Sequence, residues 1–259
     1  MVNTNIVVSI IIATYNSGKT LNAALDSVLK QEYQDWECIV VDGASKDKTI
    51  DIIKAYVEKD SRFRYISEPD KGVYDAYNKG WKMAHGEWIH YLVSDDRLTP
   101  NGIADLMTMP YGNVELVSGH CYVEKIDGTI KCCISKGFQG CHQGKIVRRS
   151  TLERFNGFDQ RYSILADADL NIRMEKAAIK IRNVDSYIAY FSISGVSNDI
   201  GGSLQRWRER YRIYKANELS NPLFLSAKIS IRQILSIIYR KLKVKLYTNH
   251  IKSTIKIFA

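Results

Sequence analysis

The first hundred residues alternate between apolar runs rich in β-branched residues and segments with helical periodicity. Residues 6–12 are apolar except for Ser9, as expected of a strand buried on both faces of a parallel sheet. Apolar residues then recur at helical spacing over residues 21–29. Further strands are predicted at residues 38–41, 63–66 and 87–93, and further helices over residues 52–57 and 74–84. These repeated strand–helix steps predict an α/β fold whose parallel sheet has right-handed crossovers.

Polar residues follow each of the four predicted strands. They are Thr14-Tyr15-Asn16, Asp42, Glu68–Gly72 and Asp95-Asp96, in the order of the strands. Parallel α/β sheets bind their ligands beyond the carboxyl ends of the strands. We therefore predict that the four polar groups line one crevice.

The remaining sequence predicts a less regular second half and a helical extension. Predicted strands are Leu116–Glu124 and Thr129–Ile134, and predicted helices are Ser150–Arg154 and Asp169–Ala178. From Ser203 onward the pattern is helical, with a break at Asn221-Pro222. We predict a domain over residues 1–202, made of a nucleotide-binding half (1–110) and an acceptor half (111–202), followed by a basic amphipathic extension over residues 203–259.

The positive charge of the chain is concentrated in that extension. The whole sequence has 37 Lys+Arg and 28 Asp+Glu, a net charge of +9, but residues 203–259 hold 13 of the basic residues and only two acids. Residues 223–247 mix apolar side chains with six cations and no acid: Lys228, Arg232, Arg240, Lys241, Lys243 and Lys245. This pattern favours an interfacial helix on an anionic membrane surface. Packing on the domain and a contact in a homo-oligomer are the alternatives, and the absence of a recognised nucleic-acid-binding motif argues against DNA or RNA as a partner.

Cysteine usage and hydropathy predict the compartment. The five cysteines are odd in number and contain no C-x-x-C pair, which favours reduced thiols in the cytoplasm. Cys121, Cys141 and His142 match no standard zinc spacing. The N-terminal residues lack the basic and apolar regions of a secretory signal, and no uncharged apolar run approaches the roughly 20 residues of a membrane-spanning helix. We therefore expect a soluble or peripheral protein.

The segment Ala13–Thr20 is close to a phosphate-binding P-loop. It follows a strand, precedes a helix and ends in Gly18-Lys19-Thr20, with Ala13 in place of the first glycine. A P-loop nucleotidase is therefore one alternative function. The other interpretation of this segment is a simple strand–turn–helix connection whose Lys19 is solvated.

A longer series of motifs resembles the family-2 glycosyltransferases, especially bacterial members that build capsule, O-antigen or exopolysaccharide. In chain order the motifs are Val8–Asn16, Leu25–Leu29 with Gln31 and Tyr33, Ile39–Ser45 with Asp47 and Thr49, Glu68–Gly80, Gly86–Ile89, Ser94-Asp95-Asp96, Gly157-Phe158-Asp159 and Ala166–Leu170. The resemblance extends over roughly residues 6–200. It implies a GT-A fold and transfer of a hexosyl or N-acetylhexosaminyl group, with inversion, from a nucleotide-diphosphate sugar.

The resemblance also implies which residues bind the donor. The positions that match the family's donor-binding motifs are Ala13, Thr14, Tyr15, Asn16, Asp42, Asp70, Lys71, Gly72, Asn78, Ser94 and Asp95. Capping of the next helix is the alternative role of Thr14 and Asn16. UDP is the commonest donor nucleotide in the family, and dTDP and GDP also occur. A non-catalytic relative that only binds a sugar nucleotide is a further alternative.

The same comparison implies a divalent metal ion, Mn²⁺ or Mg²⁺, held by Asp95 and Asp96. A hard cation with carboxylate ligands stabilises the charge of a leaving nucleoside diphosphate. Many family members have another acid before the serine of this motif, where this chain has Val93. An Asp pair that caps the following helix is the alternative interpretation.

The family's general base is the aspartate of a Glu-Asp pair at a helix start, and Ala166-Asp167 aligns with that pair. Asp167 is therefore the candidate base that removes the proton of the attacking hydroxyl. The resemblance places His142, Gln143, Arg149 and Asp169 on the acceptor side, with a structural histidine, solvated arginines and a helix-capping Asp169 as alternatives. It also implies a glycan or lipid-linked acceptor and a location on the inner face of the cytoplasmic membrane.

Overall fold

The computed structural model describes residues 8–108, 112–125, 128–134, 137–192, 202–232 and 234–235. It divides into two compact units, Met1–Ile193 and Ser194–Ala259. The predicted domain boundary at residue 202 stays a prediction. Each unit is described by itself below.

The first unit is a layered α/β structure. Its strands are β1 (Val8–Thr14), β2 (Trp36–Asp42), β3 (Phe63–Ser67), β4 (Trp88–Val93), β5 (Arg97–Leu98), β6 (Leu116–Glu124), β7 (Ile130–Cys133), β8 (Lys145–Arg148) and β9 (Ile181–Ser192). Its α-helices are α1 (Leu21–Leu29), α2 (Thr49–Lys59), α3 (Val73–Met83), α4 (Gly102–Leu106), α5 (Arg149–Phe155) and α6 (Ala166–Lys176). Two 3₁₀ turns, Gly137–Gln139 and His142–Gly144, lie between β7 and β8.

The strands form one mixed sheet in the order β3-β2-β1-β4-β8-β6-β9-β5, with β7 paired to β6. Strands β3, β2, β1 and β4 are mutually parallel. Strand β8 is antiparallel to both β4 and β6 and joins the two halves of the sheet. The predicted α/β fold with a mainly parallel sheet is therefore confirmed.

The central strands are buried because helices cover them. Strands β1 and β2 are buried along their whole length, as their β-branched sequences predict. Helix α3 lies especially close to β1: a Cβ atom at Gly80 would be 2.3 Å from Ile11 Cγ2. Glycine at position 80 thus permits the close helix–sheet contact that fixes the position of α3 beside the strand ends.

The structure differs from the sequence-based expectation mainly in the second half. Strands β8 and β9 were not predicted, because β8 is only four residues long and β9 mixes polar and apolar residues without clear alternation. Helix α6 begins at Ala166 instead of the predicted Asp169. The earlier start places Asp167 in the first helical turn, where the partial positive charge of the helix N-terminus favours an anion.

The second unit contains helix α7 (Ser203–Ala216) and a further helical segment from residue 222. Asn221, with a positive φ of 49°, and Pro222 separate the two, as the sequence predicts. Among the described residues, no helix combines the length and apolar content that crossing a membrane requires. The predicted basic residues from Arg240 onward lie outside the described residues.

Candidate active site

Hydrogen bonds join the carboxyl ends of β1, β2 and β3. Asp42 at the end of β2 accepts a hydrogen bond from Ser67 Oγ of β3 (2.7 Å) and another from the Ser45 backbone N–H (2.9 Å). Ser45 Oγ in turn accepts a hydrogen bond from the Asn16 backbone N–H after β1 (2.8 Å). Asn16 has a left-handed φ of 49°, a conformation that asparagine tolerates better than most residues.

The end of β4 joins the same group through serine hydroxyls. Ser17 Oγ and Ser94 Oγ are 2.7 Å apart, and Ser94 directly precedes the Asp95-Asp96 pair. The ends of the first four strands therefore meet, as the parallel sheet predicts.

The Ala13–Thr20 segment does not form a P-loop. A P-loop directs successive backbone N–H groups at a phosphate. Here the backbone N–H groups of residues 16–18 donate to the side chains of Ser45, Thr49 and Asp47. The Asp47 carboxylate adds a negative charge where a phosphate would bind. This geometry argues against the nucleotidase alternative, and Lys19 is exposed.

The predicted donor-binding residues of β1 differ in exposure. Ala13 and Thr14 are buried, and the Thr14 hydroxyl oxygen has no hydrogen-bond partner. Tyr15 is 60% exposed, so its ring is free to form a flat contact at the crevice. A buried hydroxyl without a partner is costly unless a ligand or water satisfies it.

The loop after β3 brings Asp70 against the end of β2. A Cβ atom at Gly43 would lie 2.7 Å from Asp70 Oδ2, so glycine at position 43 allows this approach. Asp70 Oδ1 also accepts the Gly72 backbone N–H (2.9 Å), and Gly72 has a φ of 111° that favours glycine. Lys71, between them, is exposed.

Asp96 is buried and forms hydrogen bonds with the second half of the sheet. Its Oδ1 accepts the Ser192 backbone N–H of β9 (2.8 Å), and its Oδ2 accepts Gln143 Nε2 (2.7 Å). Burial, together with the nearby Asp95 carboxylate, raises the pKa of Asp96 to about 7 despite these donors. A cation next to this pair would favour the ionised form of both acids.

The Asp95-Asp96 pair fits a divalent ion in part. Both acids are adjacent at a strand end, Asp95 is half-buried, and each engaged oxygen of Asp96 keeps a further lone pair. Among the described residues, however, no group of three His, Cys, Asp or Glu side chains could hold a metal ion. The two carboxylates therefore need oxygen ligands other than the described His, Cys, Asp and Glu side chains, such as those of a pyrophosphate.

Asp167 lies on the other side of the crevice, in the first turn of α6. Its Oδ1 accepts hydrogen bonds from Tyr74 Oη (2.9 Å) and from the Ala168 backbone N–H (2.8 Å). Burial raises the pKa of Asp167, while these two donors and the Lys145 ammonium oppose that shift. A carboxylate with a raised pKa is a better proton acceptor than a solvated one.

Tyr77 of α3 contacts the aromatic side chains beside Asp167. Its ring centroid lies 4.6 Å from that of Tyr91 and 5.7 Å from that of His142. Burial raises the pKa of its hydroxyl, and the negative charges of Asp96, Asp167 and Asp95 raise it further. The Tyr77 Oη is buried without a hydrogen-bond partner. These contacts link α3 to the His142–Gly144 turn, whose Gln143 donates to Asp96.

His142 belongs to an aromatic cluster beside Asp167. Its ring stacks on Tyr91 (centroids 5.0 Å apart) and also contacts Tyr77 and Phe158. Burial lowers the pKa of His142 to about 3, so the ring is neutral. His142 Nε2 and Tyr91 Oη are both buried without hydrogen-bond partners.

Two predicted site residues are used within the fold. The buried Asn78 amide donates to the Phe158 carbonyl and accepts the Phe158 backbone N–H and Trp81 Nε1. Asp169 is buried in an ion pair with Arg173 (2.7 Å).

Arg149 lies away from the crevice. Its Nε donates to the Gly86 carbonyl, and its backbone N–H donates to the Glu87 carbonyl, both of which precede β4. Because the crevice is at the carboxyl end of β4, Arg149 occupies the opposite edge of the sheet.

Sequence reasoning missed Tyr74, Tyr77 and Lys145. Tyr74 and Tyr77 recur at helical spacing with Trp81, a pattern that equally describes core residues. Lys145 begins a strand that was not predicted, and lysine is rarely buried. No local signal distinguishes these side chains as parts of a site.

Comparison with known proteins identifies the family. The model of "Glycosyl transferase family 2" matches residues 9–131. A PGL/p-HBAD biosynthesis glycosyltransferase of Mycobacterium bovis is 32% identical over 205 residues, which cover 74% of this chain and 79% of the relative. The Escherichia coli UDP-Glc:alpha-D-GlcNAc-diphosphoundecaprenol beta-1,3-glucosyltransferase WfgD is 34% identical over 58% of this chain and 63% of its own length.

Solved structures agree in fold. S. aureus TarS 1-349 in complex with UDP-GlcNAc has a TM-score of 0.67 at 17% identity, covering 90% of this chain and 73% of that one. Another crystal structure of TarS is matched over 43% of its length. The mannosyltransferase PcManGT from Pyrobaculum calidifontis, in complex with GDP-Man and Mn²⁺, has a TM-score of 0.64 at 16% identity, covering 95% of this chain and 80% of that one. The chain therefore belongs to glycosyl transferase family 2 and is a glycosyltransferase with the GT-A fold.

Proposed function

We propose that the enzyme transfers a sugar from a nucleotide-diphosphate sugar to a hydroxyl group of a glycan acceptor, with inversion at the anomeric carbon. The observation that carries this proposal is the His142–Gly144 turn, where Gln143 donates to Asp96 and His142 lines one cavity with Asp167. Metal-binding and proton-accepting carboxylates must flank the same reacting carbon in such a reaction. The crevice at the strand ends supplies both.

The donor nucleotide binds along the ends of β1 to β3. Asp42 and Asp70 supply carboxylate oxygens that accept hydrogen bonds from the hydroxyl and amide groups of the nucleotide. The exposed Tyr15 ring supplies a flat surface for its base. Lys71 offsets part of the pyrophosphate charge. UDP is the donor nucleotide we expect, in agreement with the UDP-GlcNAc bound by TarS and the UDP-Glc in the name of WfgD.

Asp95 and Asp96 would hold a divalent ion, as the Mn²⁺ in the PcManGT complex suggests. When bound, the ion supplies positive charge that stabilises the departing diphosphate. Gln143 and the Ser192 backbone N–H fix the orientation of the Asp96 carboxylate.

Asp167 acts as the general base. The acceptor oxygen forms a bond to the anomeric carbon as the bond from that carbon to the diphosphate oxygen breaks. The hydroxyl proton moves to the Asp167 carboxylate, which Tyr74 and the Ala168 backbone N–H hold in place. His142, which stacks on Tyr91 and lines one cavity with Asp167, lies on the acceptor side.

A donor screen tests the proposal. Thermal-shift and calorimetric binding of UDP-, GDP- and dTDP-sugars, each with Mn²⁺, Mg²⁺ or EDTA, should identify one preferred donor that requires a metal for tight binding. Transfer to glycan acceptors, including lipid-linked diphosphate acceptors like that named for WfgD, should follow. Binding of a donor without transfer to any acceptor would favour a non-catalytic relative.

We also propose that the C-terminal extension binds anionic lipid on the inner face of the cytoplasmic membrane. Four apolar residues of its helical segment are between 58% and 66% exposed: Leu223, Phe224, Ile231 and Leu235. At helical spacing Leu223, Phe224 and Ile231 lie within an arc of about 100°, and the exposed Lys228 and Arg232 follow on one side of it. Apolar residues flanked by cations are typical of interfacial helices.

Liposome sedimentation tests the membrane proposal. The full chain should sediment with anionic vesicles at low salt and much less with neutral ones. Phe224→Ser with Ile231→Ser should reduce this binding, whereas Leu204→Ser, an exposed leucine of α7, should not. Equal sedimentation of both variants with anionic and neutral vesicles would contradict the membrane proposal. A concentration-dependent dimer that the Phe224→Ser, Ile231→Ser variant disrupts would favour an oligomer contact instead.

A further inference from the structure

Lys145 is a buried lysine outside the motifs that resemble the family. It is the first residue of β8, directly after the His142–Gly144 turn, and it is only 6% exposed. Its Nζ donates one hydrogen bond, to the Phe138 carbonyl (3.0 Å). Burial of an ammonium group is unfavourable unless a negative charge or several acceptors compensate for it.

A small cavity connects Lys145 with Asp167. Both residues line it, and Tyr91 and His142 add polar side chains to its wall. The remaining lining residues are Leu116, Val147, Phe158, Leu170, Asn171 and Met174. In so apolar a cavity, opposite charges attract more strongly than they do in water.

Lys145 supplies the positive charge in the surroundings of Asp167. The titratable or charged groups near Asp167 are Tyr74 and Tyr77 of α3, Tyr91 of β4, His142, Lys145 of β8, and Asp169 with Arg173 on α6 itself. The tyrosines and His142 are neutral at pH 7. The charge of Arg173 is paired with Asp169, whereas the Lys145 ammonium acts on the Asp167 carboxylate.

We propose that Lys145 is a positioning residue for sugar transfer: its buried ammonium, beside the cavity that Lys145 and Asp167 both line, keeps that carboxylate ionised and ready to accept the proton of the acceptor hydroxyl. The inference rests on the proposed role of Asp167 as the base. Lys145 itself exchanges no proton in the reaction, since the proton moves from the acceptor oxygen to Asp167.

The pKa shifts of the two groups support this arrangement. Burial lowers the pKa of Lys145 to about 8, and the Asp167 charge opposes that shift, so the ammonium persists at neutral pH. Burial raises the pKa of Asp167, and the Lys145 charge opposes that shift. Loss of the ammonium should therefore raise the pKa of Asp167 further.

Carboxyl ¹³C NMR titration of the full chain tests this coupling without any substrate. The Asp167 signal is assigned by its loss in Asp167→Asn. In Lys145→Met the titration midpoint of the Asp167 carboxyl should rise by roughly one pH unit. This is the lower end of the range of shifts that a nearby opposite charge produces. Lys145→Arg, which keeps the charge, and Lys131→Met, which removes an exposed lysine, should leave it in place. An unchanged midpoint in Lys145→Met, or an equal rise in Lys145→Arg, would overturn the proposal.

The pH profile of transfer separates this inference from the proposed function. In Lys145→Met the acid limb of kcat should move to higher pH by the same amount, with turnover partly restored at high pH and the Kd of the donor unchanged. If Asp167→Asn keeps full turnover, the base assignment fails. If Asp167→Asn is inactive but the acid limb of Lys145→Met stays in place, only the role of Lys145 fails.

Discussion

The two sides of the crevice satisfy their polar groups in different ways. At the ends of β1 to β3, Asp42 accepts hydrogen bonds from Ser45 and Ser67, and the following loops are held by further side-chain bonds. Between α3, α6 and β8, by contrast, the half-buried Asp167 has a raised pKa, and the buried Tyr77 Oη lacks a partner. Apart from the Thr14 hydroxyl, the first side is held by hydrogen bonds within the chain. The other side holds groups whose preferred state depends on what binds.

This difference separates binding from chemistry. A network of hydrogen bonds orders the proposed donor-binding side before any ligand binds, which is expected to lower the entropic cost of binding. Buried groups with shifted pKa values and unpaired polar atoms are typical of reacting sites. Substitutions on the two sides should therefore change different measurements.

The largest effect is expected for Asp167→Asn on the chemical side. The amide keeps the shape and the hydrogen bond from Tyr74 but does not accept a proton, so kcat should fall by roughly 10³-fold. Calorimetry should show an unchanged Kd for the donor. Asp159→Asn, a nearby aspartate paired with Arg161, is the control and should keep most of the turnover. A parallel loss of donor binding would erase the proposed distinction between the two sides.

Asp96→Asn should act where the two sides meet. With one carboxylate of the pair removed, the tighter donor binding in the presence of Mn²⁺ should weaken by roughly tenfold or more. Binding without metal should change little. Calorimetry with and without Mn²⁺ measures both values, and Asp51→Asn on the exposed face of α2 is the matched control. Identical Mn²⁺ dependence in the wild type and Asp96→Asn would exclude Asp96 as a ligand.

Asp42→Asn should affect binding but not chemistry. In the variant an NH₂ group replaces the carboxylate oxygen that accepts hydrogen bonds from Ser45 and Ser67. The Kd of the sugar nucleotide should therefore rise by about tenfold, the usual cost of one charge-assisted hydrogen bond. At saturating donor, kcat should stay close to the wild-type value. A loss of kcat as large as that of Asp167→Asn would contradict the comparison.

The smallest effect is expected for Lys19→Ala. The backbone N–H groups of residues 16–18 are bonded to side chains, so Lys19 borders no phosphate cradle. Steady-state kinetics should change by less than about twofold, as is usual for exposed side chains away from a site. Inactivation by this substitution would revive the nucleotidase alternative.

The half of the sheet formed by β1 to β4 was predictable because its signals are local. Buried parallel strands such as β1 are continuous apolar runs, and the polar residues that follow them meet at one edge for topological reasons. The break at Pro222 was also predictable, since proline ends a helix. The positions of Asp42, Asp70 and Asp96 at the crevice follow from the same reasoning.

The chemical side was less predictable because it depends on contacts between distant segments. Strand β9 pairs with β6 more than 60 residues earlier and with β5 more than 90 residues earlier, and these pairings bring the Ser192 backbone to Asp96. Tyr77 has the pattern of a core residue, and the three acids that raise the pKa of its hydroxyl belong to other segments of the chain. Lys145 is buried against the usual preference of lysine, which sequence pattern alone does not reveal.

The configuration of the product tests the central claim most directly. If a base in this crevice activates the acceptor for direct displacement of the diphosphate, an α-linked donor sugar must give a β-linked product. The ¹H NMR coupling constant of the anomeric proton, recorded on fresh product made by the wild-type enzyme, measures this configuration. The account predicts a β linkage from an α-linked gluco-configured donor, and an α linkage would contradict it.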